Sequence, residues 1–401
     1  MASFTPRSET EAADLLRACA SRGETVELIG HGSKRGWGRA VVADHVVDMS
    51  ALSGITLYEP DELVLSARAG TPMAEIERTL AEHDQSLAFE PMDTGPLFGR
   101  EPGSGTLGGI LLGNISGPRR IKAGAARDHV LGLKGVTGAG TPFKAGGRVV
   151  KNVTGYDLSR GIAGSWGTLA LVTDITFKVL PRPQTASTLA VLGLPDAAAV
   201  EVLCSAMGSS WEVSGAAHIP AGTSALLPAD FGLSGQSVAL LRVEGFGPSV
   251  TYRTAKLIEG LGTSANITVI EEPRSTALWQ HLRDALFFAG GETPLWRLSV
   301  TPTRAAEMVE TIARSARVRH FYDWSGGLVW LEVLDDAADA QSGTIRAAVS
   351  AAGGHATLVR GAGRFPDIAA FQPQPPALAA LAGRLKHSLD PGGILNPGRM
   401  T

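Results

Sequence analysis

The stretches GSGTLGGILLGNISGPRR (103–120), GAARDHVLGLKGV (124–136) and GGRVVKNVTGYDLSRGIAGSWGTLALVTDITFKVLPRP (146–183) decide the fold of this chain. Glycines recur every few residues, yet they sit among apolar and β-branched residues, not in a polar low-complexity tract. Lacking a Cβ, glycine lets a backbone turn left-handed and approach another group closely. A folded domain that needs this at so many positions is one whose main chain lies against a ligand.

Upstream, Ser8 and Glu11 form a capping-box pattern, and Ala12, Leu15, Leu16 and Cys19 fall on one helical face before Gly23. Val26–Ile29 reads as a strand that empties into the glycine-rich loop Gly30–Gly38. Val41–Met49, Ile55–Tyr58 and the alternating Leu63–Arg68 read as further strands. Thr71-Pro72 reads as an N-cap with proline at the first helical position, ahead of Met73, Ile76 and Leu80. Strand and helix therefore alternate over the first 85 residues or so. Pro181-Arg182-Pro183 marks a boundary, after which glycine thins and two strand–helix units, starting near Leu189 and Trp296, look like copies of each other. A final helix near Ala377–His387 leads to the turn-rich DPGGILNPGR (390–399).

Composition excludes several classes. Net charge is −3, so no basic field for nucleic acid is implied. The two cysteines, Cys19 and Cys204, form no CxxC pair, which argues against a zinc site or an iron–sulfur cluster held by this chain. The N-terminus has no signal-peptide pattern and no apolar run is long enough for a membrane helix. A soluble cytoplasmic protein is expected, peripheral to the inner membrane only through a complex.

Residues 103–108 match GxGxxG, and Asp128 stands about 20 residues on. A nicotinamide-dinucleotide site also needs a parallel strand just before the motif, and Glu90–Pro102, with three prolines, cannot supply one. The glycines otherwise read either as tight turns or as backbone N–H nests suited to a pyrophosphate, in Gly30–Gly38 and Gly105–Gly117. The segment 146–172 suits a flat tricyclic ring: glycine backbone, β-branched side chains, and hydroxyls of Thr154, Ser165 and Thr168, with Lys151 as a candidate cation near the ring.

The order and spacing of IGHGSKRGWG (29–38), GTLGGILLGNISG (105–117), ARDHVLGLKGV (126–136) and residues 151–181 resemble the FAD-binding domain of the vanillyl-alcohol oxidase, or PCMH-type, flavoproteins. The closing DPGGILNPGR is similar to the signature of the lactate and glycolate branch, and KNVTGYD with the short chain is most similar to the E-subunit type of bacterial glycolate oxidase. The resemblance implies an α+β fold: a FAD-binding domain of two α+β subdomains over 1–183, an α+β cap with an antiparallel sheet over 184–383, and a segment 384–401 returning to the first domain. It implies that Gly30, His31, Gly32, Ser33 and Lys34 together with Thr106, Leu107, Gly108 and Gly109 hold the pyrophosphate. Asn114, Gly117, Arg127 and Asp128 would border the flavin. Gly164, Ser165, Gly167, Thr168 and Leu169 would line the ribityl chain and ring. Val172 would lie toward the adenine, and Asn396 would return to the flavin. Aligned glycines put Ser33, not His31, where relatives carry a covalent attachment, so non-covalent FAD is expected.

The HxGDGNxH-type metal motif of catalytic relatives is absent. Oxidising a 2-hydroxy acid needs a proton acceptor and cations for the carboxylate. His218, Arg242, Arg297, His320, Tyr322 and Arg360 are candidates, each also readable as structural; no catalytic residue is assigned. Trp296, Trp324 and Trp330 read more readily as sheet packing than as a substrate cage. The leading expectation is a FAD-dependent oxidoreductase subunit of a glycolate oxidase complex. Its partners would be a larger flavoprotein subunit and an iron–sulfur subunit, and its role electron relay. The alternatives are a self-sufficient oxidase of another alcohol or hydroxy acid, and a flavin-free scaffold.

Overall fold

The computed structural model describes residues 1–149, 156–262, 266–365 and 367–400. Lys151 and Thr154 lie outside the described residues. The chain divides into two compact units, 1–116 with 124–181 and 373–401, and 117–123 with 182–372.

Among the described residues the first unit holds a three-stranded sheet, a five-stranded sheet and a two-stranded pair. Strands β1 (Ala2–Phe4), β2 (Val26–Ile29) and β3 (His45–Asp48) form a parallel sheet in the order β1-β3-β2. The helix Glu9–Arg22 covers it, N-capped by the Ser8 hydroxyl and closed by Gly23 at φ 67°. Leu16 and Cys19 are buried against Val26 and Val47, and Ile394 and Leu395 from the far end of the chain complete this core. Next come β4 (Ile55–Glu59), β5 (Val64–Arg68), the two-residue β6 (Gln85–Ser86), β7 (Val130–Val136), β8 (Pro142–Gly146), β9 (Leu171–Lys178) and β10 (Leu180–Pro181). An antiparallel five-stranded sheet runs β4-β5-β9-β7-β8, and β6 pairs with β10. The helices Met73–Ala81 and Leu107–Gly113 pack Ile76, Leu80 and Leu111 onto it with Phe177. Pro72 is itself the N-cap of the first of these; the Thr71 hydroxyl turns back to the Arg68 carbonyl at 2.7 Å instead of capping.

The second unit is one eight-stranded sheet: β11 (Thr185–Leu192), β12 (Gly215–Ile219), β13 (Val238–Gly245), β14 (Ile267–Glu271), β15 (Leu295–Ser299), β16 (Val318–Asp323), β17 (Leu328–Val333) and β18 (His355–Arg360). The order is β14-β11-β13-β12-β16-β17-β15-β18, antiparallel throughout. Helices Asp196–Met207 and Gly247–Leu261 fall after β11 and β13, and helices Ala305–Ala313 and Ser342–Ala351 after β15 and β17. Each half is therefore βαββαβ with its strands in the order 4-1-3-2, and the duplication suggested by the sequence is real. The halves meet strand two to strand two, where one residue pair, His218 and Tyr322, joins β12 to β16.

Two boundaries differ from expectation. The C-terminal segment of the first unit starts at 373, and Gly117–Ala123 belongs to the second unit. Side-chain chemistry explains the latter: Arg119 forms a bidentate pair with Glu244, and the Gly117 carbonyl accepts the Trp324 indole N–H at 3.0 Å.

Candidate functional site: a glycine-walled cleft

Strand β2 delivers its carboxyl end into the loop 30–38. The backbone N–H groups of His31, Gly32, Ser33 and Lys34 have no acceptor among the described residues. Four consecutive free N–H groups form an anion nest, and Gly32 at φ 71° allows the main chain to turn there. The Lys34 amine lies beside them, donating to Ser33 Oγ at 3.4 Å. Burial pushes its ammonium down to about 8, partly opposed by the charge of Asp93. No carboxylate pairs with it among the described residues. A partly desolvated amine beside open N–H groups is suited to a diphosphate.

The facing wall is the start of helix Leu107–Gly113. A Cβ on Gly30 would stand 2.5 Å from Thr106 Oγ1, and one on Gly108 2.9 Å from the Ala69 carbonyl, so both glycines are required by close approach. Here the structure corrects an expectation. Leu107 N and Gly108 N donate to the carbonyls of Thr71 and Ala69, and Gly109 N to Thr106 Oγ1. Residues 106–109 therefore wall the cleft while the N–H groups of Leu107, Gly108 and Gly109 are already engaged, and Leu107 is buried in the core.

The third wall joins the turn at 164–168 to the C-terminus. Asn396, at φ 42°, accepts from Leu28 N at 2.6 Å and donates to the Trp166 carbonyl at 2.7 Å. Gly167 has φ 73°, and a Cβ there would stand 2.6 Å from Asn396 Nδ2. Arg399 is buried and donates to the carbonyls of Lys34 at 2.6 Å, Arg39 at 3.0 Å and Arg35 at 3.3 Å. Its guanidinium also stands 5.4 Å from the Trp166 ring. Burial lowers its pKa to about 10 although Glu27 works the other way. Lys386 donates to the carbonyls of Thr168 and Leu395 and pairs with the buried Asp390.

These walls border a cleft, open to solvent, within the first unit. Of the residues named from the sequence, Gly30, His31, Gly32, Ser33, Lys34, Thr106, Gly108, Gly109, Gly167, Val172 and Asn396 line it. Others of the expected set do not. The Asn114 side chain accepts from Arg127 N, and Asp128 accepts from Ala125 N, so this trio fastens one turn. Thr168 Oγ1 donates to the Ser165 carbonyl, Ser165 Oγ is buried without a partner among the described residues, and Leu169 is buried. Gly164, at φ 83°, shapes the turn, and Gly117 lies in the other unit. Trp166, Leu171 and Arg399 are lining residues that the sequence reading did not single out. Trp166 had a signal, since it sits between two required glycines; Arg399 had one in ending the anchored C-terminal motif.

In the second unit, most of the candidate polar residues are engaged internally. Asp196 accepts from His218 Nε2 at 3.0 Å, His320 Nε2 at 2.9 Å and the Tyr322 hydroxyl at 2.7 Å. Arg242 donates to Ser214 Oγ and lies 3.4 Å from Glu244; Arg360 pairs with Glu332. Trp296 is a core residue whose indole donates to the Ala340 carbonyl. Among the described residues no group of three or more His, Cys, Asp or Glu side chains is placed to hold a metal, and no helix is long and apolar enough to cross a membrane.

Residues 2–146 match the FAD binding domain family. With the fold and the cleft, this defines an FAD-dependent oxidoreductase with the PCMH-type FAD-binding fold. Within that class the chain belongs to the family of glycolate oxidase subunit GlcE of Escherichia coli (strain K12), to which it is 35% identical over 373 residues, 92% of this chain and 91% of that one. Glycolate oxidase subunit GlcD of Bacillus subtilis (strain 168) is 30% identical over 199 residues, 47% of this chain but 39% of that longer one. The mitochondrial D-lactate dehydrogenase [cytochrome] of Arabidopsis thaliana is 30% identical over 213 residues, 52% and 35% of the two chains. Among solved structures, p-cresol methylhydroxylase with substrate bound superposes with a TM-score of 0.73 at 14% identity, over 99% of this chain and 88% of that one; it shows the shared fold.

Proposed function

We propose that this chain is the FAD-carrying subunit of a complex that oxidises glycolate, or a related small 2-hydroxy acid, to the 2-oxo acid. The substrate gives up two electrons and two protons, and the electrons leave through flavin to an iron–sulfur partner subunit. A larger flavoprotein subunit is the other partner. The observation that carries this reading is likeness to a glycolate oxidase subunit over nearly the whole of both chains. The chain's two cysteines support it, since an iron–sulfur cluster then needs another subunit.

When bound, FAD supplies the two-electron acceptor. The nest His31–Lys34 holds the diphosphate. Gly108 and Gly109 would let it lie close to the helix start, and Val172 would lie toward the adenine. Gly167 and Asn396 shape the wall that receives the flavin end. Arg399 fixes the loop 34–39 from behind. Attachment would be non-covalent, since Ser33, whose buried hydroxyl accepts from the Lys34 amine, and not His31 stands at the position of the covalent link.

Affinity purification of the chain from its own cell, followed by flavin and iron analysis, tests the reading. A flavoprotein and an iron–sulfur protein should co-purify, and the assembly should reduce a dye with glycolate. A chain that purifies alone, and whose deletion leaves glycolate oxidation intact, would sink it.

A further inference from the structure

Arg297 is the exception among the polar candidates of the second unit. It sits in the middle of β15, opposite Trp330 of β17 and Thr357 of β18. Its neighbours Trp296 and Leu298 point into the helix-packed core, so strand alternation sends Arg297 to the other face of the sheet. The side chain is partly buried, yet it has no hydrogen-bond acceptor and no ion-pair partner among the described residues. Arg360 and Arg242, on the same sheet, both have carboxylates.

What Arg297 has is an aromatic support. Its guanidinium carbon lies 4.9 Å from the Trp324 ring centroid, and that of Arg120 lies 4.2 Å from it. Trp324 is held in place at some conformational cost. Trp324, Ser325 and Gly326 take φ of 52°, 59° and 97°, three left-handed residues in succession, of which two carry side chains. The indole N–H is fixed on the Gly117 carbonyl and the backbone N–H on Asp323 Oδ1 at 2.7 Å. A bare β-hairpin needs no such tryptophan.

The neighbourhood is cationic. Burial, followed by the charge of Arg120, lowers the Arg297 pKa to about 10, with Asp323 opposing. Burial and then both arginines lower that of His355. A partly desolvated guanidinium, pushed by a like charge and stacked on an indole, has a fork with no acceptor among the described residues. The planar fork matches a carboxylate in two parallel hydrogen bonds.

We infer that Arg297, supported by Trp324, anchors a site in the second unit for a compact carboxylate, a small 2-hydroxy or 2-oxo acid or its analogue. The ligand's chemical class rests on the proposed function; its negative charge rests on the Arg297–Trp324–Arg120 arrangement alone. The site gives this chain contact with a substrate or product acid of its own, in place of a purely electron-relaying role.

Isothermal titration of the full, flavin-loaded chain with oxalate, which cannot reduce flavin, tests this beside inorganic phosphate and uncharged glycolamide. Oxalate should bind, glycolamide should not, and phosphate should bind more weakly than oxalate. Arg297→Gln should weaken oxalate at least about tenfold, Arg297→Lys less, because lysine keeps the charge and loses the fork. Arg297→Met keeps the aliphatic contact with Trp324 and serves if the glutamine variant misfolds by circular dichroism. Undiminished oxalate binding in these variants, no binding to the wild type, or tighter phosphate binding each overturns the site. A chain that retains FAD and joins its complex but ignores oxalate fails here alone; one that holds no FAD fails the functional reading instead.

Discussion

Tyr322 donates its hydroxyl hydrogen to Asp196 at 2.7 Å, next to the one residue pair that joins the two halves of the eight-stranded sheet. Asp196 begins the first helix of one repeat and Tyr322 lies on the second strand of the other. The same carboxylate receives His218 and His320, so one acid fastens both sides of a seam with little backbone pairing. Asp196→Ala should therefore destabilise the second unit by about 2–3 kcal/mol, the scale of hydrogen bonds to a charged group, seen as a lower denaturation midpoint. Asp196→Asn should lose part of this. An unchanged midpoint would show that the seam is held by packing alone.

The same carboxylate fixes an acid limb. Burial works against its charge, but the hydrogen bonds from His218, His320 and Tyr322 outweigh burial and hold its pKa far below the ordinary 3.8. A depressed folded pKa gives stability that is present above the unfolded value and is lost as pH falls below it. Wild-type stability should thus drop below about pH 4 more steeply than that of Asp196→Asn. Parallel curves for the two proteins would count against the ion cluster as the cause.

The glycine walls predict selective loss of cofactor. Gly108→Val meets the Ala69 carbonyl and Cβ at 2.9 and 3.0 Å, and Gly167→Val adds a left-handed β-branched residue beside Asn396. Each should cost about 1–3 kcal/mol in the first unit and abolish retention of FAD. The second unit, with its own cores, should keep its sheet by circular dichroism. Full flavin occupancy in both variants would move the cofactor elsewhere.

Why the cleft was readable before the structure, and the second unit only partly so, follows from these contacts. Gly30, Gly108 and Gly167 are forced by sterics that leave a mark on composition, and Asn396 and Arg399 sit in a motif too apolar at Ile394-Leu395 to be a free tail. The GxGxxG at 103–108 follows no parallel strand among the described residues; only the short helix Pro96–Phe98 lies between β6 and Leu107. That the N–H groups of Leu107 and Gly108 are already engaged was not legible, because their acceptors, Thr71 and Ala69, lie outside that helix. Nor was the seam. Asp196, His218 and Tyr322 are far apart in the chain and carry no spacing signal, and Arg297 differs from Arg360 only in what stands opposite it.

Arg399 predicts coupling between the C-terminus and the first loop. Its guanidinium is the donor to three carbonyls of residues 34–39. Arg399→Ala should free that loop, raise proteolytic cutting near Arg35 and Arg39, and weaken FAD at least about tenfold. Arg399→Lys, with one ammonium in place of a fork, should fall between. Tight FAD binding together with a newly cut loop would separate the loop from the cofactor.

Lys34 makes flavin affinity depend on pH with a definite sign. Its amine is pushed down to about 8 by burial, so in the chain without cofactor it loses its proton above that pH. A diphosphate beside it favours the charged form and raises the pKa on binding. The bound state then holds a proton that the free state lacks, and affinity falls as pH rises through 8, by up to about tenfold per pH unit. Below pH 8 both states are protonated and the curve is flat. Lys34→Met removes the titrating amine, so its affinity should be lower at pH 7 and should lack the fall above pH 8. Equilibrium dialysis of FAD against both proteins between pH 7 and about 9.5 measures it. A wild-type curve as flat as that of the methionine variant would mean that the amine does not face the diphosphate.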